Sequence, residues 1–430
     1  MSVDPLAVAI DSAMAPYSAA GALSGVVAVS RDREPPVVRA YGRASLEPST
    51  PVRASTRFVI GSVTKSFTAA AVLALRGRGL LELDRPVGDY LQGFPHGHRI
   101  TVRHLLDHRS GLGNLFFLPN YGELARQHRT AAEVVGLVGS LPLSFEPGTR
   151  TAYNNVNYSA LAWLIEARSG RPYPEAVTEL VLEPLELRQT LVLDSVDQAV
   201  PELADGLDPV GMTDLAPARF NDPSIFVGSG AMASTASELI RWIAAIDAGR
   251  VASGGDRELL MDFARLRDDF RGRRAISATG WDGVGFGTHV LRLPDDSLTV
   301  AVTLNLNISG LATEIAQAVA ALALGLEPEV APIRLGRLPM DSLEALAGLY
   351  RFGPDFYVPG GVLRIVARDG GLHDVGRAPE IGLLPLADGE FLYRATWSRV
   401  RFHADDRGQG RSLTFAERFE ATREGSVPPE

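Results

Sequence analysis

A serine hydroxyl attacks a carbonyl carbon only when a base within hydrogen-bond reach takes its proton. Ser62 and Lys65 stand three residues apart in the alanine-rich stretch SVTKSFTAAAVLAL, whose spacing predicts a helix from Ser62 to about Leu75. That separation is nearly one helical turn, so the two side chains would share a face. Lys65 is the single lysine of the chain; the other 41 of its 42 basic residues are arginine. Arginine keeps its proton in any protein setting, whereas a desolvated lysine gives its proton up, so a lone lysine beside a serine is the residue type a general base requires. At the start of a helix, Ser62 would also place an attacked carbonyl oxygen near free backbone N–H groups and the positive dipole end. Taken alone, Ser-x-x-Lys equally describes a polar first turn in which Ser62 or Thr64 caps the helix.

A second patch, FEPGTRTAYNN, leads into an apolar helix from Tyr158 to Ala167. A phenol at Tyr153 and an amide at Asn155, two apart on a loop, can face one cleft, the phenol passing a proton and the amide orienting lysine and substrate. The same residues before a helix are also ordinary turn chemistry. His104 and His108 flank Asp107 at a spacing a metal could use, but no zincin glutamate accompanies them, and they read as helix-end hydrogen bonders. The run from Gly228 to Ala233 (GSGAMA) matches a dinucleotide fingerprint loosely, without a βαβ unit and closing acid. A P-loop is excluded because the one lysine follows Thr64, and no Gly-x-Ser-x-Gly elbow occurs. A single lysine would also suit pyridoxal phosphate, yet Lys65 comes too early to leave room for the part of such an enzyme that usually precedes it. The reading therefore requires neither cofactor nor metal.

The elements that must position these groups follow from the apolar pattern. Leu23–Ser30 and Val37–Tyr41 read as a hairpin, Phe286–Leu293 and Ser297–Asn305 as another, and Leu311–Leu324 as a closing helix. Between the hairpins the chain is mostly helix and loop. One antiparallel sheet, its two halves flanking a helical insertion, is the α/β (α+β) arrangement this order suggests. A Pro- and Gly-containing stretch, 329–340, reads as a linker between a first unit of residues 1–328 and a small β unit of short alternating segments over 341–430. The absence of cysteine excludes disulfides, thiolate zinc sites and thiol nucleophiles. A net charge of −9 argues against nucleic-acid partners, whose affinity comes from clustered Lys and Arg. No run reaches the roughly 18–20 apolar residues of a membrane span. The first arginine is Arg31, so no basic segment precedes an early apolar one, and a cytoplasmic location with no membrane partner is expected.

FVIGSVTKSFTAAAVLAL, ITVRHLLDHRSGL, FEPGTRTAYNNVNYSALAWLIE, LEPLEL and VGSGAMASTASELIRW together resemble the serine β-lactamase and penicillin-binding-protein-like hydrolases, which include DD-peptidases, class C β-lactamases, family VIII esterases and D-amino-acid amidases. The resemblance runs in order through roughly residues 20–310. It implies the β-lactamase/DD-peptidase-like fold with a helical subdomain, Ser62 as nucleophile, Lys65 as its base, Tyr153 as proton shuttle, and Asn155, rather than Asn154, at the second polar position of Tyr-x-Asn. It further implies an oxyanion hole of backbone N–H groups from Ser62 and either Trp281 or Val284, depending on the register of the third motif, and a pocket with Gly228, Thr279, Gly280 and Trp281 on its walls. The third family motif departs from the pattern. Either Ala278-Thr279-Gly280 or Trp281-Asp282-Gly283 fills the slot, and both lack the Lys or His that helps bind a substrate carboxylate.

With that cation absent and an extra β unit at the C-terminus, the chain looks like the stand-alone penicillin-binding-protein-type thioesterases, which carry a small lipocalin-like domain and release or cyclise nonribosomal peptides. The resemblance then implies a small-molecule or peptidyl acyl substrate, including a thioester borne on a carrier protein. An intracellular esterase or a D-amino-acid amidase is the alternative reading.

Overall fold

The computed structural model describes residues 4–31, 34–281, 283–327, 333–358 and 360–427. It opens with α1 (Pro5–Ala19), where the Asp4 side chain accepts from the Leu6 N–H and Pro5 fills the first position, which needs no N–H donor. Strands β1 (Gly25–Arg31) and β2 (Val37–Tyr41) follow. A long, mostly helical stretch then contains α2 (Thr64–Gly77), α3 (Asn155–Ser169) and, after a hairpin of β3 (Leu207–Val210) and β4 (Asp214–Pro217), α4 (Ala236–Asp247) and α5 (Gly255–Phe263). The sheet resumes with β5 (Arg267–Phe270), β6 (Arg273–Trp281), β7 (Gly287–Leu293) and β8 (Leu298–Leu304), and α6 (Leu311–Ala323) closes this part. The antiparallel order is β5-β6-β7-β8-β1-β2, so β1 pairs with β8, Gly25 opposite Leu304, and both ends of the chain segment build one sheet around the helical insertion.

Strands β7 and β8 are buried along their whole length because both faces are covered. One face sets Ile276, Ala278, Val290 and Ala301 against a core containing Phe67 and Val156. The other sets Leu291, Val300 and Val302 against Ile10 and Met14 of α1 and Ile315 and Val319 of α6. Helix α2 runs through the middle of the first core with nearly every residue buried, which is why its sequence is alanine-rich with few polar positions. Its first turn is braced from α4: Trp242 stacks on Phe67 at 3.9 Å between centroids and donates to Ser66 Oγ at 2.8 Å.

Eight strands between Gly348 and Gly425 pair in sequence order and then first with last, giving a closed antiparallel barrel around Tyr350, Ile365, Leu383, Val400 and Leu413. Closure removes both sheet edges. The barrel also packs on the first part of the chain. Trp397 stacks on Tyr17 at 5.8 Å, and both donate to Glu314, Tyr17 at 2.8 Å and Trp397 at 3.1 Å. Arg394, fully buried, donates to the carbonyls of Val210, Gly211, Gly21 and Asp214, and burial pulls its pKa down to about 10. Of the stretch expected to be a linker, residues 329–332 lie outside the described residues. Within its described part Leu335 bridges to Leu386, and a helix begins at Met340. Among the described residues no helix is long and apolar enough to cross a membrane.

Candidate active site

Ser62 lies in a single 3-10 turn, Gly61–Val63, directly before α2, and Lys65 lies in the first turn of that helix. Lys65 Nζ is 3.0 Å from Ser62 Oγ and donates to the Ser229 carbonyl at 2.7 Å. Tyr153 approaches from the loop before α3, its hydroxyl 2.6 Å from Ser62 Oγ, with Lys65 Nζ 4.9 Å from the centre of its ring. Sequence elements about ninety residues apart thus place an amine and a phenol on either side of one hydroxyl.

Burial shifts the pKa values of the two groups in opposite directions. Lys65 is enclosed, and burial alone drives its pKa well below the ordinary lysine value, since a charged ammonium without water is disfavoured. Tyr153 moves the other way: burial raises its pKa, against the opposing pull of the Ser62 hydrogen bond and the Arg265 charge. His108, whose burial holds its pKa near 3, is a neutral ring packed at a tilt 4.6 Å from Tyr153, and its Nδ1 accepts from the Asn154 backbone N–H at 3.2 Å. That bond puts the ring proton on Nε2. His104 instead closes a capping box with Thr101 at the start of the helix Val102–Leu106.

Asn155 and Gly228 occupy places other than those expected. Asn155 is the first residue of α3, makes no hydrogen bond to Lys65, and leaves its buried Oδ1 without a partner among the described residues. Asn154 caps the helix, accepting from Val156 N–H and donating to the carbonyls of Leu112 and Gly113. The second polar contact of Lys65 comes from the Ser229 carbonyl, which a side-chain motif does not reveal. Gly228 does not line the catalytic pocket; it packs against the Tyr158 carbonyl, and its own carbonyl accepts from Thr68 Oγ1 at 2.6 Å. That bond ties the 226–230 segment to α2 and so fixes the carbonyl that holds Lys65.

The end of β6 runs beside Ser62. A Cβ on Gly280 would stand 1.9 Å from the Ile60 carbonyl and 3.1 Å from the Ser62 N, and one on Gly61 would stand 2.9 Å from the Trp281 N. Only glycine at both positions allows this approach, and Gly61 also needs its left-handed φ of +50°. The strand therefore sets Ala278-Thr279-Gly280 against the serine turn, with the backbone nitrogens of Ser62 and Trp281 on adjoining segments. The Trp281 indole turns outward and donates to Asn307 Oδ1 at 3.0 Å. Asp282, central to the other register, lies outside the described residues. Ala278 belongs to the core on the Ser62 side of the sheet, while Thr279 Oγ1 pairs with His289 Nδ1 at 2.8 Å.

A pocket of about 200 Å³ is lined by Ser62, Lys65, Tyr153, Phe263, Thr279 and Arg265, among others. Arg265 was not legible in the sequence. It follows the end of α5 with a φ of +51°, its N–H bonding Asp262 O and the next N–H bonding Met261 O, a turn normally closed by glycine. Its exposed guanidinium has no side-chain partner among the described residues. The cation absent from the third motif is thus present in the pocket, supplied by a different loop.

With this geometry in view, the Beta-lactamase family profile matches residues 10–324. The chain belongs to the Beta-lactamase family. It is 33% identical over 307 residues to Esterase EstB of Burkholderia gladioli, covering 63% of this chain and 76% of that protein. To a D-aminopeptidase of Brucella anthropi it is 31% identical over 233 residues, 54% of this chain and 44% of that protein, so it spans less than half the length of this relative. The structure of the octameric penicillin-binding protein homologue from Pyrococcus abyssi superposes with a TM-score of 0.62 at 22% identity, over 98% of this chain and all of the other, a likeness of fold. The protein is accordingly a serine hydrolase of the β-lactamase and penicillin-binding-protein-like class.

Proposed function

We propose that the protein transfers acyl groups from an ester or thioester through an acyl-Ser62 intermediate. The observation that carries this reading is the buried amine of Lys65, its pKa lowered by burial, 3.0 Å from Ser62 Oγ, with the Tyr153 phenol, its pKa raised by burial, 2.6 Å from the same oxygen. Lys65 takes the Ser62 proton as Oγ bonds to the carbonyl carbon. Backbone N–H groups of Ser62 and Trp281 stabilise the oxyanion. As the tetrahedral intermediate collapses, the bond to the leaving oxygen or sulfur breaks, that atom takes a proton from Tyr153, and the proton held by Lys65 restores the phenol. Water, an amine or an alcohol then repeats the sequence in reverse, with its proton drawn into the same relay.

The finer reading is a thioesterase that releases or cyclises a peptidyl chain, in the cytoplasm, from a thioester borne on a carrier protein. Two features support it: Ala278 leaves the third-motif slot without charge, and the closed barrel is packed on the catalytic part. A second reading, a hydrolase of peptides or amides of D-amino acids, is favoured by Arg265 on the pocket lining, where a guanidinium can pair with a free carboxylate. Comparing kcat/KM for a peptidyl N-acetylcysteamine thioester, a D-Ala-D-Ala peptide and a penicillin separates them. The thioester is expected to be turned over fastest, with some macrocyclic product when it carries an internal amine. Preferred hydrolysis of the dipeptide or penicillin, lost in Arg265→Ala, would replace the first reading with the second.

A further inference from the structure

A second cleft, of about 740 Å³, opens beside the nucleophile and is not part of the 200 Å³ pocket. Gly230 and Ala231 are on its lining, and a Cβ on Gly230 would stand 3.8 Å from the carbonyl carbon of Gly61, the residue before Ser62. Its walls come from Val59, Leu193, Leu215, Phe220, Phe226 and Phe286. The charged residues on its lining, Glu47, Asp205 and Arg219, are all exposed, so they stand at its rim. Arg219 is further turned outward by donating to the Ala378 carbonyl of the barrel. The volume lies within the ~300–1,000 Å³ typical of ligand pockets.

Its position decides which half of a substrate it receives. Tyr153, the proton donor to the leaving atom, lines the small pocket with Arg265 and is absent from the lining of the cleft. The leaving group must therefore lie on the Tyr153 side. Gly230 and Ala231 line the cleft and not the small pocket, which leaves the cleft as the space for the carbonyl substituent. We propose that this cleft binds the acyl portion of the substrate and selects an extended apolar acyl chain; the assignment rests on the acyl-Ser62 reading above. One wall belongs to the β3–β4 hairpin and the residues after it, from Leu215 to Phe220, which the barrel grips from behind. Arg394 holds the Val210, Gly211 and Asp214 carbonyls, and Gly382 N–H bonds Gly211 O at 2.9 Å. The barrel thereby holds the hairpin that carries this wall.

The test is a series of p-nitrophenyl esters from acetate through butyrate to octanoate, read as kcat/KM with the full-length protein. Burial of each methylene is worth up to about fourfold, so burial of three of the six methylenes that octanoate adds should raise kcat/KM over acetate by roughly sixtyfold. Ala218→Trp, which fills the cleft, should lose the gain with chain length, read as the ratio of octanoate to acetate kcat/KM within the variant. If that variant also loses acetate turnover, Ala216→Phe takes its place. A flat or falling series in the unaltered protein, or a gain that survives in the filled variant, would overturn the cleft assignment alone. Acetate turnover that persists in Ser62→Ala would instead overturn the acyl-serine reading on which it rests.

Discussion

Lys65→Arg is expected to be as inactive as Lys65→Ala, with turnover down by roughly 10²–10⁴-fold or more, although it keeps a positive charge in place. The reason is the direction of the Lys65 shift. Burial without a neighbouring carboxylate drives the amine toward neutrality, and a neutral amine accepts the Ser62 proton. Arginine supplies a field but no lone pair at any working pH. The sign of the pH dependence follows: the active form is deprotonated, so kcat/KM should rise as pH increases through the lowered Lys65 pKa and fall below it. Circular dichroism and thermal melting show whether the larger side chain is tolerated, and Lys65→Met gives a neutral variant of similar length if it is not. An arginine variant with most of the activity would make Lys65 electrostatic support rather than the base.

Tyr153→Phe should cost roughly 10²–10⁴-fold on a thioester or amide, with the fold intact. The substitution deletes one oxygen from a half-exposed ring, so packing against His108 at 4.6 Å is kept while the 2.6 Å contact to Ser62 is lost. The loss should shrink on an activated ester such as p-nitrophenyl acetate, whose leaving group departs without a proton. Equal losses on both substrates would show that Tyr153 positions Ser62 and does not protonate the leaving group. Because Lys65 and Tyr153 act on one proton path, the double variant should be little worse than either single one.

What the sequence discloses and what it hides follows from chain distance. Ser62 and Lys65 are one helical turn apart, and local geometry already brings them together. Tyr153 is legible because the loop before an apolar helix carries it in a recognisable setting. Asn155 is in the motif, yet the structure gives Asn154 the cap and the Ser229 carbonyl the contact to Lys65, because a backbone group carries no residue-type signal. The third-motif register depended on which glycine could meet Ile60 and Ser62 without a clash, and a linear pattern does not contain that contact. Arg265 escapes for a similar reason: one arginine among 41 is distinguished only by a left-handed turn that aims it into the pocket. The order of hairpins foreshadowed the sheet, with its β1–β8 pairing. Alternating apolar residues foreshadowed the barrel strands but not Arg394, whose burial is set by carbonyls from two distant loops.

The most direct measurement is intact-mass and peptide mapping of the protein after incubation with a fluorophosphonate. A single phosphonyl adduct on Ser62, absent from Ser62→Ala and slowed in Lys65→Met, is the expected result, since the probe reports a serine made nucleophilic by its base. A stoichiometric adduct on any other serine, or labelling of Ser62 at an unchanged rate without Lys65, would contradict the account.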